Sequence, residues 1–331
     1  MTPTSPVIIA KNRGTAKSYG LVSIAIGMKN EENFAARLLN SLINQTYPDL
    51  EIWCTDDNSG DRTAEIVKQF EKADPRVHYL FLPGSEKTNP DKITIFSRNL
   101  ARNEGIKHST GKYQMVIDGD DELTQDAIEI MINELVNSSS DFVIGGTKRC
   151  FPDGSCDYFR PDARMVGSTD DPTFMKHVFG FENIAEFNSH ASIAKKSVIT
   201  HLYVPETDLW ENTLFNIRIM NNCKQISIIP DLVYNYYVLH RSVKSDYFMD
   251  INSFDRSILA TDLILKSLKE RYPNNPELWY EGTCLFLTTM VSDLARMRQQ
   301  KLPQEQILKR ANEMLAHPLV KEISSLKKAT N

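Results

Sequence analysis

The sequence lacks the features that mark a secreted, membrane-spanning or nucleic-acid-binding chain. Its five cysteines, Cys54, Cys150, Cys156, Cys223 and Cys284, are odd in number, widely spread and free of any C-x-x-C pair. That argues against a disulfide framework and a structural zinc site, and fits a reducing compartment. The first residues hold an apolar run of only four with no cleavage-site pattern, and no later stretch approaches the roughly 20 apolar residues of a membrane span. A soluble cytoplasmic chain is expected, at most peripheral to the inner face of a membrane. Positive charge has no surplus either: 38 Lys and Arg stand against 43 Asp and Glu, a net charge of −5, so no nucleic-acid partner is expected. Internal repeats and low-complexity segments are also missing.

What is present is the composition of an ordinary globular protein, 331 residues at 41% hydrophobic and 24% charged. That is enough for one large α/β domain of about 200 to 250 residues with an accessory unit. After a leader over residues 1–19 that reads as poorly ordered, Leu21 to Gly27 is a continuous apolar run of the kind that forms a strand buried on both faces. Glu31 to Asn44 carries Phe34, Leu38, Leu39, Leu42 and Ile43 at helical spacing, and Leu50 to Thr55 is a second buried strand. The alternation continues with a helix over Asp61 to Phe70, a strand over Val77 to Leu82, a helix over Ile93 to His108 and a strand over Tyr113 to Ile117. A helix from Asp126 to Asn137 and strands over Phe142 to Gly146, Gln225 to Pro230 and Leu232 to Val238 follow. The pattern predicts an α/β fold, a Rossmann-like, mostly parallel sheet flanked by helices, whose ligand site lies beyond the carboxyl ends of the strands. Past residue 250 strand signals vanish, and Ile258 to Arg271, Pro276 to Gln300 and Pro303 to Leu315 read as helices. The expected division is a core over residues 20–250 and a helical region over 251–331.

Two turns at strand ends, Asp56-Asp57 and Asp118-Gly119-Asp120-Asp121, crowd carboxylates together. Like charges held close destabilise a fold unless something positive offsets them. Hard oxygen ligands suit Mn2+ or Mg2+ held jointly with substrate phosphates. The alternative is a surface turn that caps the helix beginning near Thr124.

Three segments, VSIAIGMKNEEN, LLNSLINQTYPDLEIWCTDDNSGDRTAEIV and ARNEGIKHSTGKYQMVIDGDDEL, resemble in order and spacing the leading motifs of family-2 glycosyltransferases with the GT-A fold. A weaker likeness continues through NSHASIAKKSVI, DLWENTLFNIRIM and IPDLVYNYYVLHRSV to about residue 245. The resemblance implies a metal-dependent transfer of a sugar from a nucleotide diphosphate, UDP-linked in most of the family. The acceptor would be a glycan, lipid-linked or protein hydroxyl, in bacterial surface polysaccharide or glycoconjugate synthesis, with inversion.

It also implies roles residue by residue. Asp57 would accept a hydrogen bond from the nucleotide base, Asp56 would shape its turn, and Gly27 would admit the base close to the backbone. Arg98 and Arg102, four apart on one helix face, would fork onto phosphate oxygens, or form a solvated basic stripe. Asp120 and Asp118 would hold the metal or the sugar, with Asp121 as a neighbour. His240 would be a further metal ligand and Arg241 a phosphate clamp, while Trp210 and His190 would line the acceptor groove or belong to the core. The family places an acidic Glu-Asp pair where this chain reads Glu211-Asn212. Since an amide cannot take a proton, the general base falls to Glu211, with Asp208 as the alternative. Asn212 also keeps open a non-catalytic, sugar-nucleotide-binding or scaffolding relative. The C-terminal helices would recruit the acceptor, touch an anionic membrane surface, or pair two copies of the chain in a homo-oligomer.

Overall fold

A computed structural model of the chain describes residues 16–84, 90–179, 189–207, 209–238 and 253–329. Its first half is a βα alternation. The strands are β1 (Val22–Met28), β2 (Leu50–Asp57), β3 (Val77–Leu82) and β4 (Tyr113–Asp118), and the helices between them are α1 (Ala35–Ile43), α2 (Thr63–Ala73) and α3 (Pro90–His108). β1 and β4 are buried along their whole length, as the continuous apolar runs require when both faces of a parallel sheet are covered. There follow β5 (Glu122–Leu123), α4 (Ala127–Asn137), β6 (Phe142–Cys150), β7 (Cys156–Phe159), β8 (Met165–Ser168), α5 (Pro172–Phe179), β9 (Ser192–Lys195), α6 (Glu211–Asn222) and β10 (Gln225–Tyr237). The strands join in one sheet in the order β3-β2-β1-β4-β9-β6-β10-β5, with β7 on β6 and β8 on β10. Pairing is parallel from β3 to β4 and between β6 and β10, and antiparallel on both sides of β9.

Differences from the sequence reading have local causes. The helix expected from Glu31 begins at Ala35, because the Glu31 carbonyl accepts the N–H groups of Phe34 and Ala35 in a turn. The two strands expected around Pro230 are one strand, β10, whose pairing with β6 slips between Ile228 and Leu232. Proline has no N–H for the ladder, so the strand bulges there instead of ending.

The C-terminal region is helical as expected: α7 (Ser253–Arg271), α8 (Pro276–Thr283), α9 (Leu285–Gln299), α10 (Gln304–Ala316) and α11 (Pro318–Ala329). The single helix expected over Pro276 to Gln300 is split at Cys284, and α11 was not anticipated. The α10–α11 break falls at His317, which is extended (ψ 132°) ahead of Pro318, as steric conflict with a following proline ring dictates. These helices do not stand apart. Ile264 and Leu268 of α7 and Leu278 of α8 share a core with Phe142, Ile226 and the α6 residues Leu214 and Ile217. A separate cluster of Phe254, Phe286, Met314 and Ile323 joins the terminal helices to one another. Among the described residues no helix is long and apolar enough to cross a membrane.

Candidate active site

The sheet order places β2 on one side of β1 and β4 on the other, so the chain reverses direction there and leaves a crevice beyond the strand ends. In register, Met28 lies beside Asp56 and Gly27 beside Asp118, which lines up both acidic turns on one edge. Asp56 shapes its turn: one carboxylate oxygen accepts the Ser59 N–H at 3.0 Å and the other accepts the Tyr79 hydroxyl at 2.9 Å. Asp57 is buried, and Lys29 Nζ donates to its carboxylate at 3.2 Å and to its carbonyl at 3.0 Å. Gly27 does admit a close approach, but to α3. A Cβ there would stand 3.0 Å from the Arg98 carbonyl and 3.3 Å from Arg102 Cγ.

Arg102 therefore faces inward, not onto a solvated stripe. It is fully buried and paired with Asp118 Oδ1, and its other nitrogen lies 3.2 Å from Asn99 Oδ1, 3.5 Å from Asn212 Oδ1 and 3.8 Å from Glu211 Oε1. Burial opposes its charge, but Asp118, Tyr203 and Glu211 outweigh that and hold the guanidinium more firmly protonated. Arg98 is half-buried and close enough to Glu31 to pull that carboxyl down. His190 has no exposed surface, so it does not line an open groove: Nδ1 is 3.3 Å from the Val116 carbonyl, and Nε2 is 3.1 Å from Asp118 Oδ2 and 3.3 Å from Asn212 Nδ2. Arg102, Asp118, His190, Glu211 and Asn212 thus form one network.

Asp118, Asp120 and Asp121 each offer a carboxylate oxygen within 4.8 Å of the others. Their crowding is felt electrostatically. Burial, then Asp120 and Asp118, push Asp121 well above the usual carboxylate range, and burial with Asp120 raises Glu31 to about 8. Asp121 is oriented by the Tyr234 hydroxyl at 2.6 Å and the Tyr237 N–H at 2.9 Å. Asp120 is half-exposed, and Arg37 Nη2 donates to its carbonyl at 2.5 Å. An all-oxygen donor set with excess negative charge fits a hard divalent cation. Glu31, Tyr234 and Tyr237 were not anticipated as site residues. The aromatic run from Tyr234 was visible in the sequence, but nothing local ties it to Asp121.

Trp210 is left-handed (φ 62°, ψ 15°) at the N-cap of α6, with its indole packed into the core shared with the C-terminal helices. Asp208, His240 and Arg241 lie outside the described residues.

A mostly parallel sheet of this kind binds its ligand in the crevice at the point where the strand order reverses, and here that crevice is lined by acids. The Glycosyl transferase family 2 model matches residues 23–202, more than half the chain, and the chain belongs to that family. It is 28% identical over 196 residues to glycosyltransferase GlyA of Streptococcus pneumoniae, covering 59% of this chain and 26% of that protein. It is 30% identical over 224 residues to the poly(ribitol-phosphate) beta-glucosyltransferase of Bacillus spizizenii, covering 66% of this chain and 32% of that protein. The chain therefore spans a third or less of the length of these two relatives. Among solved structures, S. aureus TarS 1-349 in complex with UDP-GlcNAc superposes with a TM-score of 0.66 at 17% identity, over 92% of this chain and 81% of that one. The mannosyltransferase PcManGT from Pyrobaculum calidifontis, in complex with GDP-Man and Mn2+, gives 0.53 at 14% identity, over 97% of this chain and 90% of that one. These likenesses establish the GT-A fold.

Proposed function

We propose that this chain transfers a sugar from a nucleotide diphosphate sugar, UDP-linked, to a hydroxyl of a glycan, lipid-linked or protein acceptor, with inversion, in bacterial surface polysaccharide or glycoconjugate synthesis. The observation that carries the reading is that Arg102 joins Asp118, at the edge of the acidic turn, to Glu211, within a family-2 chain. The poly(ribitol-phosphate) relative and the UDP-GlcNAc held by TarS support this choice of donor and acceptor class.

In this reading Asp57 accepts a hydrogen bond from the base imide, which a carboxylate is suited to do. Lys29 holds that carboxylate in place. Asp120, with Asp118 and Asp121, would hold Mn2+ or Mg2+, which when bound supplies charge to offset the departing diphosphate. Glu211 accepts the proton of the acceptor hydroxyl as its oxygen bonds to the anomeric carbon. The bond from that carbon to the phosphate oxygen breaks, and the diphosphate leaves with the electron pair. Arg102 keeps Asp118 and Glu211 in register and does not meet the diphosphate. His190 sits beneath Asp118 as a support. The protein works in the cytoplasm, with membrane contact or self-association falling to the C-terminal helices.

The test is product formation from a panel of UDP- and GDP-sugars with Mn2+, alongside Glu211→Gln. Expected is acceptor-dependent release of nucleoside diphosphate, lost by about 10² to 10⁴-fold in the variant with nucleotide affinity retained. Nucleotide-sugar binding without turnover under any condition would favour the non-catalytic relative. Unchanged turnover in Glu211→Gln would move the base elsewhere, Asp208 being next.

A further inference from the structure

We infer that Trp210 is a positioning residue through which the C-terminal helices set Glu211, so that the helical region completes the catalytic site. The inference rests on the reading of Glu211 as the proton acceptor. It starts from the backbone. Trp210 is the residue immediately before Glu211, and it holds a left-handed conformation with φ 62°. For a bulky residue other than glycine that costs roughly 1 to 2 kcal/mol and persists only where the surroundings over-determine it.

Both sides of the turn are held. On the sheet side, Asn103 of α3 exchanges two hydrogen bonds with the backbone of Tyr203, at 2.9 and 2.8 Å, and Asn99 donates to the Thr207 carbonyl at 3.0 Å. These asparagines clamp the chain as it approaches α6. On the other side Trp210 packs against the core that holds Ile264 of α7 and lines a small cavity together with Thr261 of α7, Gly282 and Thr283 of α8 and Phe286 of α9. Its indole N–H is buried there without a hydrogen-bond partner, so packing holds the ring and no polar contact does. The helical side is itself fixed to α6, because Asn221 donates to the Ser267 hydroxyl at 2.8 Å and Leu268 shares the α6 core.

A ring set among these helices and a left-handed N-cap form a lever whose short arm is Glu211. Glu211 stands 3.8 Å from Arg102, a distance that a small rotation of the turn would change. A displacement of about 1 Å at a reacting group can cost on the order of 10²-fold in rate.

The experiment compares Trp210→Gly, Trp210→Phe, Phe286→Ala and Glu211→Gln in the full chain. Nucleotide binding by calorimetry and thermal melting serve as fold controls. Trp210→Gly takes the left-handed backbone readily but loses the ring, so it is expected to lower kcat by about 10-fold or more while the UDP dissociation constant and donor KM stay within twofold. Phe286→Ala, which changes only the helical wall, is expected to shift kcat in the same direction, and Trp210→Phe to restore most of it. If Glu211→Gln is inactive while Trp210→Gly and Phe286→Ala turn over like the wild type, the lever is refuted and the reading of Glu211 stands. If Glu211→Gln remains active, the underlying reading fails on its own. A fall in nucleotide affinity matching the fall in kcat would show general unfolding, and would also overturn the inference.

Discussion

Replacing Arg102 with methionine tests the network most directly, because it removes one charge and little volume. Arg102 has no exposed side-chain surface and Asp118 only 3%, so solvent cannot replace the lost partner. Breaking such a buried pair from one side typically costs about 3 to 5 kcal/mol, since the remaining ion stays in a poorly solvating interior. Glu211 loses a cation as well. At 3.8 Å and an effective dielectric of about 20, the gross attraction is about 4 kcal/mol, and water around the partly open Glu211 returns some of it. We expect Arg102→Met to lose about 3 to 5 kcal/mol of unfolding free energy in urea titrations followed by fluorescence and circular dichroism. At about 2 to 4 °C per kcal/mol, the melting temperature falls by roughly 6 to 20 °C. Arg102→Met combined with Asp118→Asn removes both charges and should recover a measurable part of the loss, because groups in contact couple by about 0.5 to 3 kcal/mol. Arg102→Lys should rescue poorly, since one ammonium cannot reach Asp118, Asn99 and Asn212 together. A loss below about 1 kcal/mol in Arg102→Met, or strict additivity in the double variant, would refute the claim that this pair anchors the site.

Asp120→Asn should abolish transfer and weaken Mn2+ binding, read by calorimetry, while leaving the melting temperature unchanged or higher, because it removes a like charge beside Asp121 and Glu31; wild-type metal affinity would sink the assignment. Glu31, raised to about 8 from 4.5, contributes stability that is fully present below pH 4.5 and lost as pH rises through about 8. Wild-type melting in a chelator should therefore fall across that window and Glu31→Gln should flatten the slope, whereas identical slopes would contradict it. Cys150 and Cys156 are register partners, and the Cys150 carbonyl accepts the Val238 N–H on the side away from β7. That makes them a non-hydrogen-bonded cross-strand pair, with Cα atoms about 4.5 Å apart and within disulfide range. A diazene oxidant such as diamide should join them, each disulfide releasing two hydrogens to the oxidant, and peptide mapping that finds both thiols free would count against this.

The parallel half of the sheet was legible because each strand is a short apolar run bounded by a turn, and the acidic turn was legible because its charges are adjacent in sequence. The network was not. Arg102 reaches Asn212 across 110 positions, and His190 reaches Val116 across 74. Helical spacing put Arg98 and Arg102 on one face, but a four-residue step advances the helix about 40° beyond a full turn. Gly27 then draws α3 so close to β1 that Arg102 turns into the core while Arg98 stays at its margin. In the C-terminal region the apolar spacing ran on through Cys284, and the single Gly282 two residues before it did not mark the break, so two helices read as one. The shared core of α6, α7 and α8 depends on which faces meet, and periodicity alone does not contain that information.

The amide at position 212 follows from the same geometry. Asp118 and Glu211 both draw on the guanidinium of Arg102. A carboxylate in place of Asn212 would bring a third anion to that cation, at a site with little water to disperse it. Asparagine offers both polarities instead, with Oδ1 3.5 Å from Arg102 and Nδ2 3.3 Å from His190 Nε2. It therefore joins the two supports of Asp118 without adding charge. The structural share of an acidic pair is then carried by a neutral side chain, and of positions 211 and 212 only Glu211 has a carboxylate that can take a proton. That arrangement makes the setting of Glu211 by its turn more consequential, because no neighbouring carboxylate at 212 can substitute for one that is misplaced.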